Sequence, residues 1–81
     1  MKKSIKIEYF AILREQRGLS SEEIESAAPD ARSLYDELVQ THSFSVSADA
    51  LKVVINEEFS EWTQPLNAGD TVVFIPPVAG G

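Results

Sequence analysis

Apolar and polar positions alternate from Ser4 to Phe10, with Ile5, Ile7 and Tyr9 on one face and Lys6 and Glu8 on the other. A period of two predicts a half-buried strand. Ala11 to Arg17 drops that period and predicts a short helix. Gly18 stops it, because glycine accepts the left-handed conformation in which many helices close. Ser20 to Ala27 carries a weaker strand signal centred on Ile24. Its acids, Glu22, Glu23 and Glu25, mark an edge strand whose charge guards against pairing with another chain.

Pro29-Asp30 opens the strongest helix, with Asp30 as N-cap. Ala31, Leu34, Tyr35, Leu38 and Val39 fall on the three-four spacing of a single buried stripe. His42 and Ser43 end it, and a cation at His42 would complement the helix dipole. Phe44 to Ala50 is Ser-rich and irregular. Lys52 to Asn56 predicts a strand, Glu57-Glu58 a turn, and Phe59 to Trp62 the returning segment. Asn67-Ala68-Gly69-Asp70 is turn chemistry, and Asp70 is assigned to that turn. Thr71-Val72-Val73-Phe74-Ile75 is apolar on both faces, which predicts a strand covered on both sides.

Strand, short helix, strand, long helix, then strands is satisfied most economically by a mixed sheet with one helix packed across it. The first and last strands then lie centrally. This is an α+β architecture of the ubiquitin-like β-grasp type, with residues 1–75 as the domain and residues 76–81 as an extended C-terminal tail.

The tail, Pro76-Pro77-Val78-Ala79-Gly80-Gly81, follows the last strand without a linker. Two prolines favour an extended course. Two glycines make the thinnest peptide a chain can offer to a narrow channel. Six extended residues reach about 20 Å. This pattern predicts a terminal carboxylate at Gly81 that is itself the reactive group, carried into a partner's site by Pro76, Pro77, Val78, Ala79 and Gly80. A frayed terminus is the plainer alternative.

The chain has 81 residues, 43% of them hydrophobic, and a net charge of −6. A domain of this size has no room for a deep cavity holding substrate and catalytic groups together. The acidic balance argues against nucleic acid, which requires a basic face. There is no cysteine and one histidine, so neither a disulfide nor a thiolate or multi-histidine metal site is expected. No long apolar run predicts a membrane span, and a cytoplasmic location is expected.

Phe10-Ala11, Arg14-Glu15 and Gly18 form a spaced F-A-x-x-R-E-x-x-G pattern. Val54-Ile55-Asn56, Pro65-Leu66 and Gly69-Asp70 then lead to Phe74-Ile75 and the P-P-V-x-G-G ending. In these features, along essentially its whole length, the chain resembles the small subunits of molybdopterin synthase, sulfur carriers of molybdenum-cofactor synthesis. The resemblance implies that an E1-like adenylating protein uses ATP to form a glycyl-adenylate on Gly81. A persulfide-type sulfur donor then converts Gly81 to a thiocarboxylate. The large synthase subunit, in a heterotetramer of two large and two small chains, receives the tail and passes the sulfur to cyclic pyranopterin monophosphate. No stably bound cofactor and no metal are implied, and catalytic side chains are expected on the large subunit.

Phe74, Phe59 and Trp62 are candidates for an exposed docking patch, with Phe74 favoured; closure of the small core is the other fate open to each. Arg14, with Glu15, either meets a partner or forms a solvated helix face. The rival readings are a ubiquitin-like protein modifier, a thiamine-type sulfur carrier, and a non-covalent interaction domain whose tail has no chemistry.

Overall fold

The alternating N-terminal segment forms strand β1, Lys3–Tyr9, in a computed structural model that describes residues 2–76. Helix α1 (Ala11–Arg17), strand β2 (Ser21–Ser26) and helix α2 (Ala31–His42) follow. A single 3₁₀ turn (Ala48–Ala50) leads to strands β3 (Lys52–Ile55), β4 (Glu58–Ser60) and β5 (Thr71–Ile75). The five strands make one sheet in the order β2-β1-β5-β3-β4. β1 and β5 are parallel neighbours, while the other three pairings are antiparallel. β5 therefore lies in the middle and β2 at an edge, which bears out the expected β-grasp fold.

One face of the sheet is the core. Ile5, Ile7, Tyr9, Val53, Ile55, Val72 and Phe74 point into it and meet Ala31, Leu34, Tyr35 and Leu38 of α2. The predicted stripe is right except at its margin, where Val39 is only half-buried. Tyr35 is the hub: its ring lies 5.1 Å from that of Phe74, 5.9 Å from Trp62 and 6.2 Å from Phe44. Its hydroxyl donates to the Val46 carbonyl at 2.6 Å, so the polar tip is satisfied although the ring is buried. Burial pushes the Tyr35 phenol pKa up.

Local chemistry fixes the element ends. Asp30 Oδ1 accepts the Ser33 amide at 2.9 Å, a helix N-cap, and that amide holds the Asp30 carboxyl below the usual carboxylate range. Ser43 closes α2 at φ 57° and Gly18 closes α1 at φ 81°. At the far end of the sheet, Asp70 serves its turn by accepting the Asn67 amide at 2.8 Å through one oxygen. Its other oxygen accepts Asn56 Nδ2 at 2.9 Å.

Two sequence expectations need correction. The β3–β4 turn is Asn56-Glu57, not Glu57-Glu58: Ile55 pairs with Glu58, and the two residues between have φ 51° and 71°. Positive φ at both positions matches the right-handed twist of a tight hairpin. Glutamate gives no sequence signal for that conformation, so the turn was misplaced by one residue. β5 is also not equally covered on its two faces. Val72 and Phe74 are wholly buried, whereas Thr71, Val73 and Ile75 remain partly exposed because, among the described residues, no helix packs on their side.

Candidate functional site

The candidate site is built around the root of the tail, where Ile75 ends β5 and buried Pro76 follows. Because β1 and β5 run parallel, with Tyr9 beside Phe74, both strands finish at the same end of the sheet. The chain therefore leaves β5 next to the point where Phe10 leaves β1 and α1 begins. Antiparallel pairing brings Lys52 of β3 alongside Ile75. Gly81, Gly80, Ala79, Val78 and Pro77, the predicted reactive end and most of its threading segment, lie outside the described residues.

The open face of the sheet runs up to this root. Its alternation places Val54 beside Val73 and Phe59 beside Val54, a row of apolar side chains crossing three strands. Ile75 belongs to the same face, one step nearer the tail, flanked by exposed Lys52. Val54, Val73 and Ile75 are half-buried, and Phe59 is 76% exposed.

The three aromatic residues predicted as one patch are separated by the sheet. Phe74 is fully buried against Tyr35 and Trp62, which corrects its assignment to a docking surface. Strand alternation with Val72 turns it to the helix side, where an aromatic ring gains most from burial. Trp62 is half-buried on the same side and stacks on Phe74 at 5.8 Å. Phe59 alone of the three stands on the open face. Arg14 is exposed on α1, near Phe10 and Ile12, which are 45% and 41% exposed. The outward side chains are instead Val73 and Ile75, the pair that opposes Val72 and Phe74 on β5, with Val54, which the sequence reading did not single out, beside them. The alternation of β5 held the signal, since Val73 and Ile75 must oppose Val72 and Phe74, but only the position of α2 decides which pair is covered.

Glu22 is the second surprise. Read as one of three edge-guarding acids, it instead points to the core side of β2. Its Oε2 accepts the Tyr9 hydroxyl at 2.6 Å and Arg17 Nε at 2.7 Å, and its Oε1 accepts Arg17 Nη2 at 2.8 Å. His42 Nε2 lies 3.8 Å from the same carboxylate. The Arg17 hydrogen bond, more than the opposing burial, pulls the Glu22 pKa down to about 2. The Glu22 hydrogen bond raises Arg17, and burial followed by that same carboxylate pushes the Tyr9 phenol upward. Glu23 and Glu25 do face outward on the edge strand, exposed as expected.

Among the described residues no group of three His, Cys, Asp or Glu side chains is arranged to hold a metal ion. Two concavities of about 460 and 510 Å³ flank β4, and both are open grooves. No helix of the described residues is long and apolar enough to cross a membrane. The chemistry that this arrangement supports is presentation: a five-stranded sheet whose central strand leads into the terminal segment.

Fold and tail root together define a small ubiquitin-like β-grasp protein. The family model for the ThiS family matches residues 7–81. The molybdopterin synthase sulfur carrier subunit of Escherichia coli (strain K12) is 30% identical over 80 residues, covering 95% of this chain and 99% of the relative. A Pyrococcus furiosus protein described as molybdopterin converting factor subunit 1 superposes with a TM-score of 0.77 at 28% identity, over 94% of this chain and 99% of the other. SAMP1 from Haloferax volcanii, a small archaeal modifier protein, gives 0.76 at 26% identity over 96% and 99%. The chain belongs to the ThiS family.

Proposed function

We propose that this chain is the sulfur-carrier subunit of a molybdopterin synthase, with Gly81 as the residue that carries sulfur. The observation that supports this reading best is the end-to-end match to the Escherichia coli carrier subunit, with a family match that runs through Gly81. The position of β5, central and aimed at the tail, fits a protein whose terminus is its working part.

The chemistry follows from the weakness of a carboxylate as an acyl donor. An E1-like partner transfers AMP from ATP to the Gly81 carboxylate, releasing pyrophosphate. The resulting mixed anhydride has a good leaving group: sulfide displaces AMP to give the thiocarboxylate directly, whereas a persulfide displaces it to give an acyl disulfide whose S–S bond a thiol then cleaves, forming a disulfide and releasing the thiocarboxylate, a soft nucleophile at neutral pH. The large subunit then accepts the tail and directs that sulfur to cyclic pyranopterin monophosphate. The acid–base groups belong to the partners in this scheme, and ATP is their substrate. The apolar row of Phe59, Val54, Val73 and Ile75 is the surface on which these partners dock, with Arg14 and Phe10 at its tail end.

Intact mass spectrometry tests the reading directly. The chain is incubated with ATP, a candidate adenylating protein and a sulfur donor. A gain of about 16 Da, oxygen replaced by sulfur, that maps to Gly81 and is absent from a chain lacking Gly81 supports it. No gain, with the partners shown active on a known carrier, overturns it. The likeness to SAMP1 favours a second reading, a protein modifier joined to target lysines through Gly81. Recovery of the chain in covalent adducts with many proteins, and no thiocarboxylate, would establish that reading instead.

A further inference from the structure

Helix α1 stands beside the root of the tail, yet little holds it there. Leu13 is its one buried residue. Its N-cap, Phe10, makes no side-chain cap, and Ala11 begins the helix at φ 52°, a left-handed conformation that a residue with a Cβ resists. Such strain persists only where the surroundings enforce it. Two sets of side-chain contacts tie down the other end of α1. Gln16 exchanges two hydrogen bonds with Ser45, at 2.7 and 3.1 Å. Arg17 is gripped through two nitrogens by Glu22. The Glu22 carboxylate also holds the Tyr9 hydroxyl, so one side chain joins the end of α1 to the end of β1, with His42 from the end of α2 close by.

We propose that Glu22 is a positioning residue: it clasps α1 beside the tail root and so sets how Phe10, Ile12 and Arg14 meet the protein that modifies Gly81. This rests on the sulfur-carrier reading. The clasp is well suited to the task. A bidentate guanidinium–carboxylate pair fixes orientation as well as distance, which a single hydrogen bond does not. Its side chains are only 25% and 14% exposed, so water competes for it weakly. It also lies on the inner side of the sheet, away from the open face, and acts on docking through α1 and not by touching the partner.

The test is saturation kinetics of thiocarboxylate formation, read by intact mass, on four full-length chains: the native one, Glu22→Gln, Glu22→Ala, and the exchanged pair Arg17→Glu with Glu22→Arg. In Glu22→Ala the KM for the carrier is expected to rise about tenfold with kcat within about twofold, the mark of lost binding rather than lost chemistry. Glu22→Gln, which keeps its shape and some hydrogen bonding, rises less. The exchanged pair rebuilds the grip and recovers most of the native KM. Hydrogen exchange is expected to quicken at the α1 amides in Glu22→Ala while those of α2 and β5 stay protected. An unchanged KM in folded Glu22→Ala overturns the proposal. If that variant does not fold, an unchanged KM in Glu22→Gln overturns it equally. An exchanged pair as impaired as Glu22→Ala also overturns it, because Glu22 would then be acting by its own contact. Failure of the native chain to be converted is a different result: it removes the sulfur-carrier reading, and this inference with it.

Discussion

Tyr9 and Phe74 lie side by side on parallel strands, both fully buried, the last inward-facing residues before β1 and β5 leave the sheet. Their pairing joins the two halves of the candidate site. Past Tyr9 the chain turns into α1, with its exposed Phe10, Ile12 and Arg14; past Phe74 it runs through Ile75 and Pro76 toward the glycines. A parallel pair brings these exits to the same end, whereas an antiparallel pair would have put α1 and the tail at opposite ends of the molecule.

Phe74 and Phe59 should respond in opposite ways to truncation. Phe74→Leu removes ring contacts with Tyr35 and Trp62 in a closed core and is expected to cost about 1–2 kcal/mol. Phe59→Ala, on the open face, should change stability by less than about 0.5 kcal/mol while weakening partner binding. Urea unfolding gives the first comparison and titration with the adenylating partner the second. A strongly destabilised Phe59→Ala would contradict the placement of that ring.

Acid should unfold the native chain partly through Glu22. Its folded pKa, about 2, lies below the ordinary value of 4.5, so the folded state prefers the ionised form. Its contribution is therefore complete above about pH 4.5 and disappears as pH falls through about 2. After discounting for solvent screening, that contribution is on the order of 1–2 kcal/mol. Glu22→Gln should lower stability at pH 7 and flatten the decline between those limits. Parallel stability curves for the two chains over that range would show that the ion pair contributes nothing measurable.

Glu57→Gly should stabilise the domain. Glu57 occupies φ 71° at the second position of a two-residue hairpin turn, behind Asn56. Asn-Gly is the favoured sequence for that geometry, and relief of the Cβ conflict outweighs the added freedom of the unfolded chain. The expected gain is about 0.5–1 kcal/mol, seen as a higher urea midpoint at unchanged slope. A fall in the midpoint would mean that the glutamate side chain stabilises the turn.

Gly80→Val should block the carrier chemistry. A β-branched side chain next to Gly81 adds bulk where the proposed partners must enclose a thin peptide. Thiocarboxylate formation is expected to fall by at least about tenfold, with kcat affected as well as KM, because the reacting carbonyl itself is displaced. Equal conversion of the native and Gly80→Val chains would remove the threading role of Gly80.

Local chemistry was legible wherever a residue acts on its own neighbours. The alternation of Ile5, Ile7 and Tyr9, the Asp30 cap, the α2 stripe, the Gly18 stop and the Asp70 turn all follow from short-range spacing, and each appears in the structure as read, save for half-buried Val39 at the stripe's margin. The β3–β4 turn was misplaced because Glu57 adopts a left-handed conformation that the pairing of β3 with β4 imposes and a glutamate does not announce.

The sequence by itself determined the elements, their order, the β-grasp class and the motif at the tail, because those depend on periodicity and on contacts a few residues apart. Tertiary structure alone decided which face of β5 is buried. Phe74 and Val73 are equally apolar, and only the packing of α2 on one side of the sheet sends the first inward and leaves the second on the open face. It alone also made Glu22 something other than an edge charge, by bringing residues from β1, α1 and α2 within hydrogen-bonding or ion-pairing distance of one carboxylate. Neither outcome is encoded in local spacing, because each depends on groups that become neighbours only when the sheet closes.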